Sequence, residues 1–76
     1  LRVYVVWQES EKDVAIMDIT MVVEDTLAQQ PNLQAVIVAN AFMDLVDADF
    51  ILTAESEEDM LEMFPNAIIQ NEKEVH

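Results

Sequence analysis

Glycine is missing from all 76 residues, where average usage of ~7% would place about five. It is the residue that most easily reaches positive φ, so its absence removes the loops that usually cradle phosphates and nucleotides. Cysteine is missing too, which excludes disulfides, thiolate nucleophiles and sulfur metal sites. Positive charge is nearly absent, with three Lys and Arg against sixteen Asp and Glu and a formal net charge of −13. That balance argues against nucleic acid, whose phosphates require basic residues, and against an anionic membrane surface. The single histidine, His76, is terminal, so no Ser–His–acid set can be assembled around it. No apolar run approaches the ~20 residues of a membrane span.

What is present is a dense apolar content, 53% of residues. Strong negative charge otherwise points to disorder, but only where hydrophobicity is low. The chain is therefore expected to fold as a single compact domain over residues 1–76. A chain this short hides only ~60% of the surface its unfolded form exposes, so it depends on a rich core. Its start at Leu1 rather than methionine points to trimming, excision or processing. We expect a soluble chain, cytoplasmic if made inside a cell.

Arg2-Val3-Tyr4-Val5-Val6-Trp7-Gln8 has the β-branched and aromatic composition of a strand. Ser10-Glu11-Lys12-Asp13 supplies a helix-start signature, and the helix is expected to run to about Gln30, before Pro31. Leu33 to about Met43 reads as a second strand around Ala35-Val36-Ile37-Val38. Asp44 to Asp47 reads as a turn, and Ala48 to Thr53 as a third strand. Ser56-Glu57-Glu58-Asp59 opens a short helix that Pro65 ends, and Ala67 to Gln70 begins a fourth strand.

The expected order is βαββαβ. The short turn after the second strand favours a hairpin between strands two and three, with Val38 near Phe50. This is the ferredoxin-like arrangement, a four-stranded antiparallel sheet with two helices on one face. The alternative is a small parallel doubly wound sheet, since Ala35–Val38 and Phe50–Leu52 are apolar on both faces.

A one-sided sheet would leave Tyr4, Val36, Val38 and Ile51 as an apolar patch on its open face, a candidate interface. The same positions are equally explained by β-propensity alone. Winding the first helix puts Val14, Met17 and Met21 opposite its core face, between acidic residues. Methionine-lined seams of this kind adapt to partners, although exposed hydrophobes also occur without a role.

Asp44, Asp47 and Asp49 offer hard oxygen ligands, but Asp is also an ordinary turn former. Glu55, Glu57, Glu58, Asp59 and Glu62 surround a helix start, which favours ionised carboxylates over acid–base pairs. Tyr4 resembles one member of the aromatic platform of RNA-binding ferredoxin-like domains, without the basic surface or companion aromatics. The loop Gln8-Glu9-Ser10 lacks the Cys-x-x-Cys of ferredoxin-like metallochaperones. We expect no catalytic, cofactor or metal residues and no small-molecule substrate. The leading expectation is an acidic, non-enzymatic scaffold of computational design. The alternative is an acidic inhibitor or adaptor that binds a basic protein partner, and weak self-association is a further expectation.

Overall fold

The computed structural model describes residues 1–70; His76 and the charged segment from 71 onward lie outside them. Strand β1 spans Arg2–Gln8 and turns back into β2, Val14–Asp18. Helices α1, Thr20–Gln29, and α2, Ala35–Leu45, come next in succession. Strand β3, Phe50–Ala54, leads into α3, Glu57–Met63, and the chain returns as β4, Ile68–Ile69.

The sheet order is β3-β1-β2-β4. β1 pairs antiparallel with both β2 and β3, through Val6↔Ile16 and Val6↔Phe50 among others, whereas β2 and β4 run parallel with Ile16↔Ile69. The chain is thus a mixed α+β protein with a four-stranded sheet, in keeping with its composition and punctuation. It departs from the ferredoxin-like expectation in three respects. One strand pair is parallel, the described residues form three helices rather than two, and the order is ββααβαβ rather than βαββαβ. The antiparallel pairs likewise depart from the parallel alternative.

Alternation along the strands sends successive side chains to opposite faces, and both faces are covered. Tyr4, Val6, Val14 and Ile16 pack with Met60 of α3 on one side. Val5, Met17 and Ile19 pack with Val23 of α1 and with Val38 and Ala39 of α2 on the other. A central strand sandwiched in this way is apolar at every position, which is why Val14-Ala15-Ile16-Met17 is buried throughout.

That two-sided burial corrects the expected Ser10–Gln30 helix. Winding a continuous apolar run at helical pitch produces apolar stripes on two sides, and Val14, Met17 and Met21 make up one such stripe. Val14 and Met17 are buried strand residues, while Met21 lies in the first turn of α1 and is 66% exposed. The Ser10–Asp13 segment closes the β1–β2 hairpin instead. There the N–H groups of Glu9 and Ser10 donate to the Asp13 carbonyl at 2.9 and 3.2 Å. The Asp13 N–H donates back to Ser10 Oγ at 3.1 Å.

The expected strand over Leu33–Met43 is also corrected, because Ala35–Leu45 is helical. Short apolar runs do not distinguish strand from buried helix by periodicity. Ala35, Ala39 and Ala41 tip the local preference toward helix. The packed positions Val38, Ala39, Phe42, Met43 and Val46 recur with the three- and four-residue spacing of a helix face. Asp44–Asp47 therefore ends a helix rather than joining two strands, and Val38 is not the strand neighbour of Phe50.

Candidate functional site

Of the residues expected on an open sheet face, Tyr4 and Val38 are buried and Ile51 packs partly buried against the α1–α2 cluster. None of these three belongs to an exposed patch, because helices occupy both sides of the sheet. Val36 is 59% exposed, but on α2. The structure therefore does not bring Val14, Met17, Met21, Tyr4, Val36, Val38 and Ile51 together as one surface.

What it does bring together is a groove between α1 and α2, on the side turned away from the sheet. The connection Gln30–Gln34 is short, so the two helices lie side by side as neighbours. Val22 and Thr26 of α1 form one wall, and Ile37, Ala41 and Leu45 of α2 form the other. Leu33, Val38 and Phe42 complete a hollow of about 560 Å³. Ile37 is 52% exposed and Leu45 80%, so the outer wall is an open apolar stripe.

The two helices that form the groove carry only one sign of charge. Glu24 and Asp25 are exposed on α1 and Asp44 on α2, with Asp25 and Asp44 next to the groove-lining rows at helical pitch. Lys12 is the last basic residue before Lys73, so neither helix carries a Lys or Arg.

A connected polar network joins the start of β1 to the end of β2 and the start of α1. Arg2 Nε donates to Asp18 Oδ2 at 2.7 Å, and Asp18 Oδ1 accepts from the Thr20 N–H at 2.9 Å. Thr20 Oγ1 accepts from the Val3 N–H at 2.9 Å, and the Ile19 N–H donates to the Val3 carbonyl at 2.8 Å. Together these bonds stitch the start of α1 to β1. Burial alone pushes the Asp18 carboxyl upward, but hydrogen bonds from Thr20 and Arg2 and the guanidinium charge outweigh it and hold it below the usual carboxylate range. The same hydrogen bond to Asp18 holds Arg2 above its ordinary value.

Tyr4 sits beside this network, fully buried. Its hydroxyl finds no hydrogen-bond partner among the described residues. Burial pushes the phenol above its ordinary value, helped by the charges of Asp18 and Glu57 and opposed by Arg2.

The acidic groups on the α3 side surround a helix start that is capped by Ser56. Ser56 Oγ accepts from the Asp59 N–H at 3.3 Å, and Glu57, Glu58 and Asp59 fill the first turn of α3, where the helix dipole favours negative charge. A shallow hollow of about 690 Å³ opens between Leu1, Glu55, Asp59, Glu62 and Met63. Asp49 Oδ2 accepts from the Gln8 N–H at 2.6 Å, and Asp47 forms the end of α2. Among the described residues, no three His, Asp or Glu side chains are grouped so as to hold a metal ion. No helix there is long and apolar enough to cross a membrane.

The groove residues Ile37, Ala41 and Leu45 do not stand out in the sequence, because the Ala35-Val36-Ile37-Val38 run does not by itself separate a strand from a buried helix. Their signal is the four-residue spacing, which gains meaning only once Ala35–Leu45 is helical. No family model, curated protein or solved structure matches the chain.

Proposed function

We propose that this protein is a non-catalytic interaction module whose binding surface is the α1–α2 groove and whose partner is a basic protein. The observation that carries this reading is the pairing of an open apolar stripe, Ile37–Ala41–Leu45, with two walls whose charged residues are all acidic and a chain at −13. Apolar floors supply affinity when covered, and a single sign of surrounding charge steers the oppositely charged partner.

The other reading, a designed scaffold without evolved activity, leads one to expect idealised loops. Asp47 at φ 58, where glycine is the easy choice, departs from that pattern and favours the interaction module.

The test is titration with a lysine-rich amphipathic peptide, comparing wild type with Leu45→Lys and Glu62→Lys. Glu62 lies on α3, on the opposite side of the sheet. Its replacement changes net charge by more than the Leu45 replacement does. Weakening by roughly tenfold in Leu45→Lys, with little change in Glu62→Lys, supports the groove. A larger loss in Glu62→Lys would reduce the binding to bulk charge and sink the reading.

A further inference from the structure

We infer that the occupant of the groove is a single basic amphipathic α-helix, packing against α1 and α2 as a third helix. The inference rests on the groove being the binding surface, and it specifies what form the partner takes there.

Both walls are helices. Their backbone N–H and C=O groups are consumed internally, so the floor offers side chains and no free main-chain donors or acceptors. An extended peptide laid there would bury unpaired amide groups, each costing free energy that nothing in the groove returns. A helix arrives with its backbone already satisfied and buries only side chains.

The shape agrees. Ile37, Ala41 and Leu45 form an i, i+4, i+8 ridge, about 12 Å long at 1.5 Å per residue, with the small Ala41 as a gap between two larger side chains. Val22 and Thr26 form a second i, i+4 row on α1. Ridges at this spacing accept the ridge of another helix. The length matches about two helical turns of a partner with anchors near i, i+3 or i+4, and i+7.

Charge sets the rest of the partner. Asp25 and Asp44 stand outside the two apolar rows, and neither helix has a basic residue. The docking helix therefore carries Lys or Arg on both flanks of its apolar stripe. A second copy of this chain fits poorly, because two molecules each at −13 repel.

The experiment uses two peptides of one composition of Leu, Ala and Lys. One places Leu at helical spacing, and the other alternates Leu and Lys at strand spacing. Each is titrated into wild type, Leu45→Lys and Ile37→Lys, at low and high salt, with circular dichroism of the complex. The helical peptide is expected to bind wild type at least tenfold more tightly than the alternating one. It should gain helix on binding, lose roughly tenfold in either variant, and weaken as salt rises. Equal binding of both peptides, lost equally in the variants, would overturn the helix while leaving the groove in place. Binding indifferent to both variants would remove the groove itself. Sedimentation of the chain alone completes the set. A dimer that tightens with salt and is lost in Leu45→Lys would make a second copy the occupant and overturn the basic helix.

Discussion

Trp7 Nε1 donates to the carbonyl oxygen of Val46 at 3.0 Å, across 39 residues of sequence. Val46 caps the C-terminus of α2, where helix carbonyls lack partners of their own. The bond ties the central strand to the helix that forms the outer wall of the groove. Trp7→Phe keeps most of the ring and loses the donor. The expected cost is about 1 kcal/mol, read as a lower midpoint in chemical denaturation followed by circular dichroism, since this is the only tryptophan. An unchanged midpoint would mean that water replaces the bond without loss.

Asp47 adopts φ 58 at the first position beyond the cap of α2. The Ala48 N–H reaches back to the Met43 carbonyl at 2.9 Å and the Asp47 N–H to the Asp44 carbonyl at 3.3 Å. This six-to-one and five-to-two pairing is the Schellman ending, which strongly favours glycine at the left-handed residue. In a glycine-free chain, Asp occupies the position at a cost of its own. Asp47→Gly is expected to raise stability by about 0.5–1 kcal/mol. Asp47→Val, β-branched and unsuited to positive φ, should lower it. The idea fails if both substitutions shift the melting temperature in the same direction.

The Tyr4 hydroxyl is buried without a partner among the described residues. Removing an unsatisfied buried polar group while keeping the shape is neutral to favourable, so Tyr4→Phe should stabilise by about 1 kcal/mol. Alkaline pH adds a second readout. Because the phenol is raised in the folded state, the unfolded chain ionises first, near pH ~10. Stability is therefore full below that pH and falls as pH climbs toward the folded value. Tyr4→Phe should flatten this alkaline decline. A steeper decline in the variant would mean that the fold lowers the phenol, with Arg2 outweighing burial, and would overturn this reading.

Two matching segments show how far the sequence could be read. Ser10-Glu11-Lys12-Asp13 and Ser56-Glu57-Glu58-Asp59 look alike, and each makes the same local bond from the fourth residue's N–H to the serine Oγ. Only the second opens a helix. The difference lies in the four residues C-terminal to each. Met60-Leu61-Glu62-Met63 buries only Met60, a one-sided pattern suited to a helix on a surface. Val14-Ala15-Ile16-Met17 buries every side chain, which requires cover on both faces. That cover comes from α3 on one side and α1–α2 on the other, and α2 and α3 are distant in sequence. Strand β1, helix α3 and strand β3 were legible because local composition and capping agreed with their final environment. The groove was not legible, because the β-branched Val36-Ile37-Val38 run and the alanines around it pull Ala35–Leu45 toward different structures, and its packed face appears only in three dimensions.

Removal of the Arg2–Asp18 contact should show how local pairing and overall charge divide the response to pH. Sixteen acidic against three basic residues repel one another at neutral pH, so mild acidification or added salt should stabilise the fold. Asp18 works the other way. Its folded-state carboxyl is depressed, so its contribution is fully present above the unfolded value of ~3.9 and is lost as pH falls through the lower folded one. Between pH 7 and pH 5 that contribution is constant, and relief of repulsion sets the slope. The melting temperature should rise over this interval, then turn down below about pH 4. Asp18→Asn should lower stability at pH 7 only modestly, since it keeps an acceptor for the Thr20 N–H and loses a solvent-screened ionic contact with Arg2. It should also keep the rise toward pH 5 and soften the acid decline. A wild-type melting temperature falling steadily from pH 7 to pH 5 would falsify the repulsion argument. A variant with an undiminished acid decline would place its origin in some other carboxylate than Asp18.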